Sequence, residues 1–371
     1  MLSQSLAASP SERWREQLSG SEMSDREIRE HWLRSKLKFS GRSSMSREGL
    51  DGQLGVAADN LMGENHALGM SFRDAKSQRN ANGSKALDLD YSFPVGSADL
   101  SLRAGNHHSE YQKHLSDQRI DASSESRVMG LDGSRFLLSR YGIRFDGLVR
   151  HVARDTQSFE QGDLVSDSAY QKSALGLKGQ WSEELVGGLY ARSDVSAIGG
   201  REFSASDYAQ QSDVVEEGEF YKVAISATVG RELFRWQWDL TGRYQFAPED
   251  LPSSEYLMVA GSSMLTGFNG QSVYAHQGGW LRMNTASPAW PMPFVGGVLS
   301  SINFSMLQGW VPYSGAQADR DGKACAGEVS LKMQGRAFTA NVSVGRMMSA
   351  STTAMTIPDH PDVRFSLTLS I

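Results

Sequence analysis

Residues 234–246 read FRWQWDLTGRYQF, and two classes of side chain alternate strictly along them. Every even-numbered position carries an apolar side chain or glycine, and every odd-numbered position carries a polar or charged one. Successive side chains of a β-strand point to opposite faces of the sheet, so this period of two predicts a long strand with one apolar and one polar face. The last residues of the chain, VRFSLTLSI at 363–371, repeat the pattern.

The same alternation recurs along most of the chain and predicts sixteen antiparallel strands. They lie near residues 32–40, 50–59, 66–74, 84–93, 99–109, 125–138, 142–156, 170–181, 185–196, 218–231, 234–246, 271–285, 294–309, 324–334, 338–348 and 362–371. Most of them have about the 9–11 residues that a tilted strand needs to cross a bilayer.

The segments between these strands alternate in length. Short ones at 60–65, 94–98, 139–141, 182–184, 232–233 and 335–337 interleave with longer ones at 75–83, 110–124, 157–169, 197–217, 247–270, 310–323 and 349–361. Up-and-down membrane barrels have short periplasmic turns and longer external loops, whereas a soluble sandwich need not sort its loops by length. We therefore predict an all-β fold, a 16-stranded antiparallel transmembrane β-barrel of the bacterial outer membrane, over residues 32–371.

Composition argues against several other classes of protein. The mean hydropathy of −0.40 and the lack of a long apolar run argue against a transmembrane helix. The net charge of −6 and the pI near 5.8 argue against a nucleic-acid partner. The single cysteine, Cys325, permits neither an internal disulfide nor a cysteine metal site. The chain has no GxSxG, Walker or GxGxxG pattern, so we expect neither an enzyme nor a cofactor.

The first residues form a polar and charged tail over 1–31. Within it, Ser24-Asp25-Arg26-Glu27 has the pattern of a capping box, which predicts a short helix before the first strand. Met1 to Ser24 lacks the basic and apolar regions of a secretory signal peptide, although an outer-membrane protein requires such a signal.

Several histidines lie near a carboxylate at the end of one predicted strand. His107, His108, Glu110 and His114 lie close in sequence, but their spacing fits no metalloprotease motif. On a strand, His107 and His108 face opposite sides, so we predict no metal site. The charged residues on the polar faces are expected to line a pore: Asp88, Asp90, Arg150, Arg154, Asp239 and Arg243. Aromatic residues near strand ends are expected in interfacial girdles: Tyr91, Phe93, Tyr244, Phe246, Trp280 and Trp310.

Several short motifs together resemble one family. Leu251-Pro252-Ser253-Ser254-Glu255-Tyr256, Ala260-Gly261 and Leu265-Thr266-Gly267-Phe268 are similar to the long loop before the last five strands of two-partner-secretion transporters. Further similarity lies at Asp59-Asn60-Leu61-Met62-Gly63, at Leu89-Asp90-Tyr91-Ser92-Phe93-Pro94-Val95-Gly96 and at Ser109-Glu110-Tyr111. The resemblance to these haemolysin activation/secretion proteins, of the ShlB, FhaC and HecB kind, extends over residues 32–371 in the right order.

This resemblance implies an outer-membrane pore that threads one large partner, a haemolysin-like or adhesin-like exoprotein, from the periplasm to the cell surface. Such transport uses neither ATP nor a cofactor. The other implied partners are outer-membrane lipids and the barrel-assembly machinery. In the family, POTRA domains precede the barrel, and this sequence carries no counterpart of them. A porin-like channel and an inactive truncated barrel therefore stay open as alternatives.

The resemblance also implies a lock inside the barrel. The family loop carries Val-Arg-Gly-Tyr or Val-Arg-Gly-Phe, whose arginine pairs with an aspartate of a Phe-x-Asp-x-Gly motif on the wall. Here Thr266, after Leu265, takes the arginine position, and Leu307, between Phe304 and Gly309, takes the aspartate position. Losing both charges together costs less than leaving one unpaired. Gly267 and Phe268 remain, so the loop is still expected to fold inward.

The last strand carries an implied assembly signal. In the family this strand ends in an aromatic residue that the assembly machinery recognises, and here Ile371 takes that place after Phe365, Leu367 and Leu369. Because the alternation is intact, we expect a working but weaker signal.

Overall fold

The computed structural model describes residues 37–46, 49–60, 65–77, 82–115, 118–208, 211–293, 296–313, 322–352 and 354–370. The predicted tail and helix at 1–31 and the terminal Ile371 lie outside these ranges. The strands, in chain order, are β1 (Leu37–Ser46), β2 (Gly49–Asp59), β3 (Ala67–Ser77), β4 (Gly83–Val95), β5 (Ala98–Leu115), β6 (Gln118–Arg140), β7 (Ile143–Glu160), β8 (Asp163–Leu185), β9 (Leu189–Tyr208), β10 (Gln211–Leu233), β11 (Trp236–Phe246), β12 (Leu257–Gly261), β13 (Ser272–Ala275), β14 (Gly278–Ala286), β15 (Trp290–Pro291), β16 (Leu299–Val311), β17 (Gly322–Gln334), β18 (Phe338–Ala350) and β19 (Asp362–Ser370). No helix within the described ranges is long and apolar enough to cross a membrane.

Sixteen of these strands form the wall of a closed antiparallel barrel: β1 to β11, β14 and β16 to β19. Each pairs with its neighbours along the chain, and β1 pairs with β19 to close the ring, with Phe39 opposite Leu369. The two-residue β15 adds to the pairing on β16, while β12 and β13 form a separate hairpin. The predicted 16-stranded antiparallel barrel is confirmed.

Two strand predictions need correction. The strand predicted over 271–285 is two strands, β13 and β14. Gly278, with φ of +152°, redirects the chain between them, and β13 leaves the wall to pair with β12. The strand predicted over 294–309 corresponds to β16, which begins at Leu299. The strand predicted over 32–40 corresponds to β1, and its residues 32–36 lie outside the described ranges. Periodicity alone identifies a strand but not the residue at which its pairing starts.

The loops predicted over 110–124, 157–169 and 197–217 are mostly strand. β5 to β10 are 18 to 23 residues long. At about 3.3 Å per residue, 23 residues extend well beyond the roughly 30 Å hydrocarbon core. Polar pairs such as Gln157 Nε2 to Asp167 Oδ2, 3.1 Å apart, continue the ladder there. The hydrophobic alternation fades outside the lipid, so the sequence pattern ended these strands too early.

Tight turns join strands at the opposite end of the barrel. Tyr141 (φ +53°) and Gly142 (φ +76°) form one two-residue turn, and Phe234 (φ +54°) and Arg235 (φ +67°) form another. Positive φ at both central residues is the hairpin geometry whose twist matches that of paired strands. Phe234 and Arg235 adopt it without glycine, at a cost of about 1–2 kcal/mol each. This is the end that the loop lengths predict to face the periplasm.

The outer face of the wall carries an apolar band. Residues opposite each other in the register share a face, as Leu102 does with Tyr91 on β4 and Leu131 on β6. Large apolar side chains on this face are exposed all around the ring: Phe39, Leu54, Met70, Phe72, Leu87, Leu89, Leu102, Met129, Val149, Leu175, Leu177, Tyr221, Ile225, Leu240, Leu281, Met283, Phe304, Met306, Val329, Val344, Val363, Phe365 and Leu369. A band of this kind is the surface that lipid requires of a barrel.

The predicted aromatic girdle is partly present. Tyr91 stacks on Phe93 with ring centroids 5.1 Å apart, and Tyr244 contacts Phe246 at 4.5 Å. Trp280 is an exception, because it packs against the buried cluster inside the barrel. Its neighbour Leu281 is exposed, so Trp280 lies on the inner face of the strand.

An arginine placed on the outer face tests the assignment of faces. Leu102→Arg puts a charge in the apolar band, where we expect a loss of about 2–4 kcal/mol in unfolding free energy near the bilayer midplane. Ser101→Arg, on the adjacent inward position of β5, is the matched control and should lose much less. Urea unfolding of both variants in lipid vesicles measures the difference. Equal losses at 101 and 102 would contradict the assignment.

Candidate functional site

The candidate site is the long connection between β11 and β14, which folds inside the barrel. We call residues 247–277 the inner loop. It contains a 3₁₀ turn at Ser253–Glu255 and the β12–β13 hairpin, in which Leu257 lies opposite Ala275. Most of its apolar side chains are buried although the loop belongs to no wall strand. The inner loop is therefore an ordered element that occupies part of the lumen.

A buried ion cluster holds the base of the inner loop. Glu255, with 3% of its side chain exposed, lies 2.5 Å from the Nζ of Lys172 on β8 and 2.6 Å from the Nζ of Lys222 on β10. Ser254 Oγ accepts a hydrogen bond from Lys172 at 3.0 Å and donates one to Glu202 at 2.9 Å. We call Glu255, Lys172 and Lys222 the base latch. With the Ser254–Glu202 contact, it joins the loop to three neighbouring strands of the wall, β8, β9 and β10.

The charges of the base latch depend on one another. Burial by itself raises the pKa of Glu255, but hydrogen bonds from Lys172 and Lys222 outweigh it and hold the pKa below its ordinary value. The carboxylate therefore stays ionised between two ammonium groups. Removing it would leave those cations buried without a counter-charge, which typically costs about 3–5 kcal/mol.

Uncharged contacts reinforce the base. Leu251 is buried against Ala174 of β8 and Phe220 of β10. The side-chain amide of Gln245, at the end of β11, donates to the backbone oxygens of Glu255 at 3.1 Å and His276 at 3.0 Å. One wall residue thereby joins the outgoing and returning arms of the inner loop.

The tip of the inner loop is buried in the main apolar cluster of the protein. Leu265 and Phe268 pack there with Leu307 of β16, which has no exposed surface. The cluster also contains loop and wall residues Leu257, Val259, Ala260, Val273, Ala275, Val311, Ala324, Ala326, Met347 and Met355. Leu307 thus contributes an apolar surface beneath the tip. The expectation that the loop folds inward agrees with this geometry.

Charged wall residues bind the backbone of the tip. The N–H of Thr266 donates to Glu328 Oε2 of β17 at 2.7 Å, and the N–H of Gly267 donates to Asp362 Oδ2 of β19 at 3.4 Å. Thr266 itself is 1% exposed, and its hydroxyl has no hydrogen-bond partner among the described residues. The backbone of the loop, rather than an arginine side chain at 266, therefore meets acidic groups on the wall.

Two arginines complete this arrangement. Arg282 of β14 donates to the oxygen of Met264 at 2.8 Å, and Arg364 of β19 donates to the oxygen of Ser262 at 2.7 Å. We call Arg282, Glu328, Asp362 and Arg364 with the backbone of residues 262–267 the tip clamp. Bonds to charged partners are stronger than neutral ones, so four of them hold one short segment firmly.

Glycines allow the loop to approach the wall closely. A Cβ atom at Gly309 of β16 would overlap the oxygen of Val259, and one at Gly345 of β18 would overlap the oxygen of Thr266. Gly267 has φ of +114°, a conformation that other residues rarely adopt. Of the predicted wall motif, Leu307 and Gly309 contact the inner loop. Phe304 is exposed on the outer face and stacks on Trp236.

A second connection covers the tip. Met355, between β18 and β19, belongs to the same apolar cluster. Gln271 of the inner loop donates to the oxygen of Thr356 at 2.9 Å and accepts from the N–H of Thr356 at 2.8 Å. The paired hydrogen bonds fix the two loops to each other.

The other predicted site residues lie away from the inner loop. Phe365 and Leu369 are exposed on the outer face of β19, at the seam with β1, and Leu367 lies between them on the same face. Their role in assembly stays a prediction. His107 lies 3.3 Å from Asp88, whereas His108, on the opposite face, lies 3.2 Å from Glu110. Within the described ranges no three His, Cys, Asp or Glu residues are grouped as a metal site requires.

The sequence contained little to identify the base latch and the tip clamp. Lys172, Lys222, Arg282 and Glu328 stand on polar faces like many other charged residues, and none belongs to a short motif. Of the three base-latch residues, Glu255 alone belongs to a motif of the family resemblance, and its partners lie on distant strands. Contacts between residues so far apart in sequence need the fold before they become visible.

Known proteins match this chain along most of its length. The family model described as haemolysin secretion/activation protein ShlB/FhaC/HecB matches residues 27–335. The outer membrane transporter CdiB of Dickeya dadantii (strain 3937) is 24% identical over 312 residues, which cover 82% of this chain and 54% of that protein. The outer membrane transporter CdiB of Escherichia coli O6:K15:H31 (strain 536 / UPEC) is 24% identical over 205 residues, which cover 55% and 33%. The chain thus spans about half the length of the first relative and a third of the second.

Solved structures show the same fold. CdiB from Escherichia coli superposes with a TM-score of 0.71 at 15% identity, covering 90% of this chain and 62% of that one. CdiB from Acinetobacter baumannii gives a TM-score of 0.67 at 16% identity, covering 91% and 60%. At such identities the likeness supports the fold alone, but the family model covers most of the sequence. The chain belongs to the haemolysin secretion/activation protein family ShlB/FhaC/HecB.

Proposed function

We propose that this chain is the pore of an outer-membrane transporter that exports a large haemolysin-like or adhesin-like partner protein by two-partner secretion. The observation that carries the proposal is the family match over residues 27–335. The chain is an outer-membrane barrel, with an apolar outer band and charged residues on its inner face. The family is one of transporters, and the proposal assigns the chain no catalytic step and no cofactor.

The geometry supports a passage rather than a closed core. A polypeptide crossing a membrane needs partners for its polar backbone, which lipid cannot provide. The interior of the barrel supplies charged and hydroxyl side chains along its strands, such as Arg103, Asp132 and Ser101. Lipids would contact the outer band, and the assembly machinery would read Phe365, Leu367 and Leu369 on β19.

We further propose that the inner loop controls this passage. The tip of the loop would be held against the wall by the packing of Leu265, Gly267, Phe268, Leu307 and Gly309. The implied loss of an arginine–aspartate pair at Thr266 and Leu307 would be compensated by the tip clamp, in which the wall binds the loop backbone. The base latch would hold the other side of the loop.

Gene deletion tests the secretion proposal. Deleting the gene should abolish surface exposure of any large exoprotein encoded beside it, and the full-length gene product should restore it. Surface exposure is measured by antibody labelling of intact cells. Unchanged surface exposure in the deletion strain would contradict the proposal, and solute uptake by liposomes carrying the barrel would then favour a porin-like channel. A barrel with neither activity would be the inactive alternative.

Neutralising Glu255 tests the base latch. Glu255→Gln keeps the size of the side chain but leaves Lys172 and Lys222 buried without a counter-charge. The expected cost is about 3–5 kcal/mol, enough to detach the base, and ion conductance in planar bilayers should become larger and noisier. Asp250→Asn makes the same charge change at an exposed position of the same loop and should conduct like the wild type. Identical traces for E255Q and wild type would exclude a latch.

Acid should weaken the base latch of the wild-type protein. The pKa of Glu255 is lowered in the folded state, so its stabilising effect is complete above the ordinary carboxyl pKa and is lost as the pH falls through the lowered value. Conductance should therefore rise only below about pH 4, the ordinary range for glutamate. E255Q should lack this component of the pH dependence.

Glu328 provides a separate test of the tip clamp. Glu328→Ala removes the acceptor of the Thr266 N–H, and an unpaired buried donor costs about 1–3 kcal/mol. Hydrogen exchange at residues 262–268 should become faster in this variant. Glu328→Gln keeps an acceptor oxygen and should restore most of the protection. Slow exchange in E328A would show that Glu328 does not hold the tip.

A further inference from the structure

The inner loop covers only part of the interior wall. On the covered side, wall residues such as Lys172, Phe220, Leu307, Ala326 and Met347 are buried. These positions lie on β8, β10, β16, β17 and β18. The strands β4 to β7 instead carry interior side chains that remain accessible.

The register shows which side chains of β4 to β7 face the interior. Ala174 of β8 packs against Leu251 of the inner loop, so its face is the inner one. Arg150 lies opposite Ala174, Asp132 lies opposite Arg150, and Ser101 lies opposite Asp132. Residues opposite one another share a face, so all of them point into the lumen.

A row of alternating charges crosses these four strands. Arg103 of β5 lies 3.0 Å from Asp90 of β4 and 3.8 Å from Asp132 of β6, and Arg150 of β7 lies 2.7 Å from Asp132. The side chains of Arg103 and Asp90 are 55% and 53% exposed. We call the interior face of β4 to β7 with these four residues the paired-charge wall.

From this geometry we infer that the exported polypeptide of the proposed function passes along the paired-charge wall, which is also the ion-conducting path of the barrel. The inference rests on the proposed secretion function. Two acidic and two basic groups neutralise each other across the row, so neither an acidic nor a basic segment of the passing chain meets a net attractive charge. Serines beside the row, such as Ser101 and Ser134, provide small hydroxyl groups for a polar backbone.

The same row of charges predicts the ion selectivity of the lumen. Each carboxylate in the row compensates a guanidinium, so removing one carboxylate leaves an accessible cation on the path. Exposed charges within a Debye length of about 8–10 Å influence a passing ion. A charge on the outer face, separated from the lumen by the wall, should have much less influence.

Cysteine labelling tests the path without needing the partner protein. In a Cys325→Ser background, Ser101→Cys places a thiol on the paired-charge wall, and Ser330→Cys places one at a buried interior position of β17. A cationic methanethiosulfonate reagent should label position 101 rapidly and position 330 slowly, as measured by mass spectrometry. Labelling should lower the conductance of the Ser101→Cys barrel only. Faster labelling at 330, equal labelling of both, or modification at 101 without loss of conductance would overturn the inference.

A charge substitution gives an independent readout. Asp132→Asn should shift the reversal potential of the barrel in a salt gradient towards anion selectivity, because Arg103 and Arg150 lose their shared carboxylate. Glu219→Gln removes one negative charge from the outer face, where Glu219 pairs with Arg201, and should leave the selectivity unchanged. No shift in D132N, or the same shift in both variants, would contradict a path along this wall. Exoprotein export that persists in the deletion strain, with labelling and selectivity as expected for the path, would instead fault the secretion proposal alone.

Discussion

The pairing of β1 with β19 is the constraint on which the rest of the barrel depends. A strand in lipid has no water to bond its backbone, and each unpaired N–H or C=O there costs several kcal/mol. Eight residue pairs, from Lys38–Ser370 to Met45–Val363, close this seam, so the wall has no open edge. Closure forces one face of every strand outward and the other inward. The strict alternation of residues 234–246 is the sequence consequence of that division.

Closure also creates an interior that is too wide for side chains alone to fill. The inner loop occupies part of that space, and its base and its tip are held by different kinds of contact. At its base, the Glu255 carboxylate is neutralised by two lysines, which lets a charged group sit in a buried position. At its tip, the wall charges bind main-chain groups instead. Main-chain binding does not depend on the side chain at 266, which explains how a buried threonine is accommodated there.

The sequence allowed the wall to be predicted but not the contacts inside it. Period-two alternation sufficed for sixteen strands, because each strand faces lipid on one side and polar groups on the other. It failed at 271–285, where β13 leaves the wall although its residues still alternate. It also placed Trp280 in the girdle, since alternation alone cannot say which face of β14 points outward. The lysines of the base latch could not be predicted, because Lys172 meets Ser254 across 82 residues of sequence.

The base and the tip of the inner loop differ in the contacts that would have to break before they could move. Releasing the tip would expose Leu265 and Phe268, and burying such side chains contributes about 1.5–3 kcal/mol each, apart from the four clamp bonds. The base has fewer apolar contacts, and its main restraint is an ion cluster. If the base opened, water would solvate these charges and replace part of their attraction. A chain passing along β4 to β7 would border the base, since Arg150 of β7 lies opposite Ala174 of β8, on which Leu251 packs. On the proposed path, the base would therefore yield to a passing chain more readily than the tip.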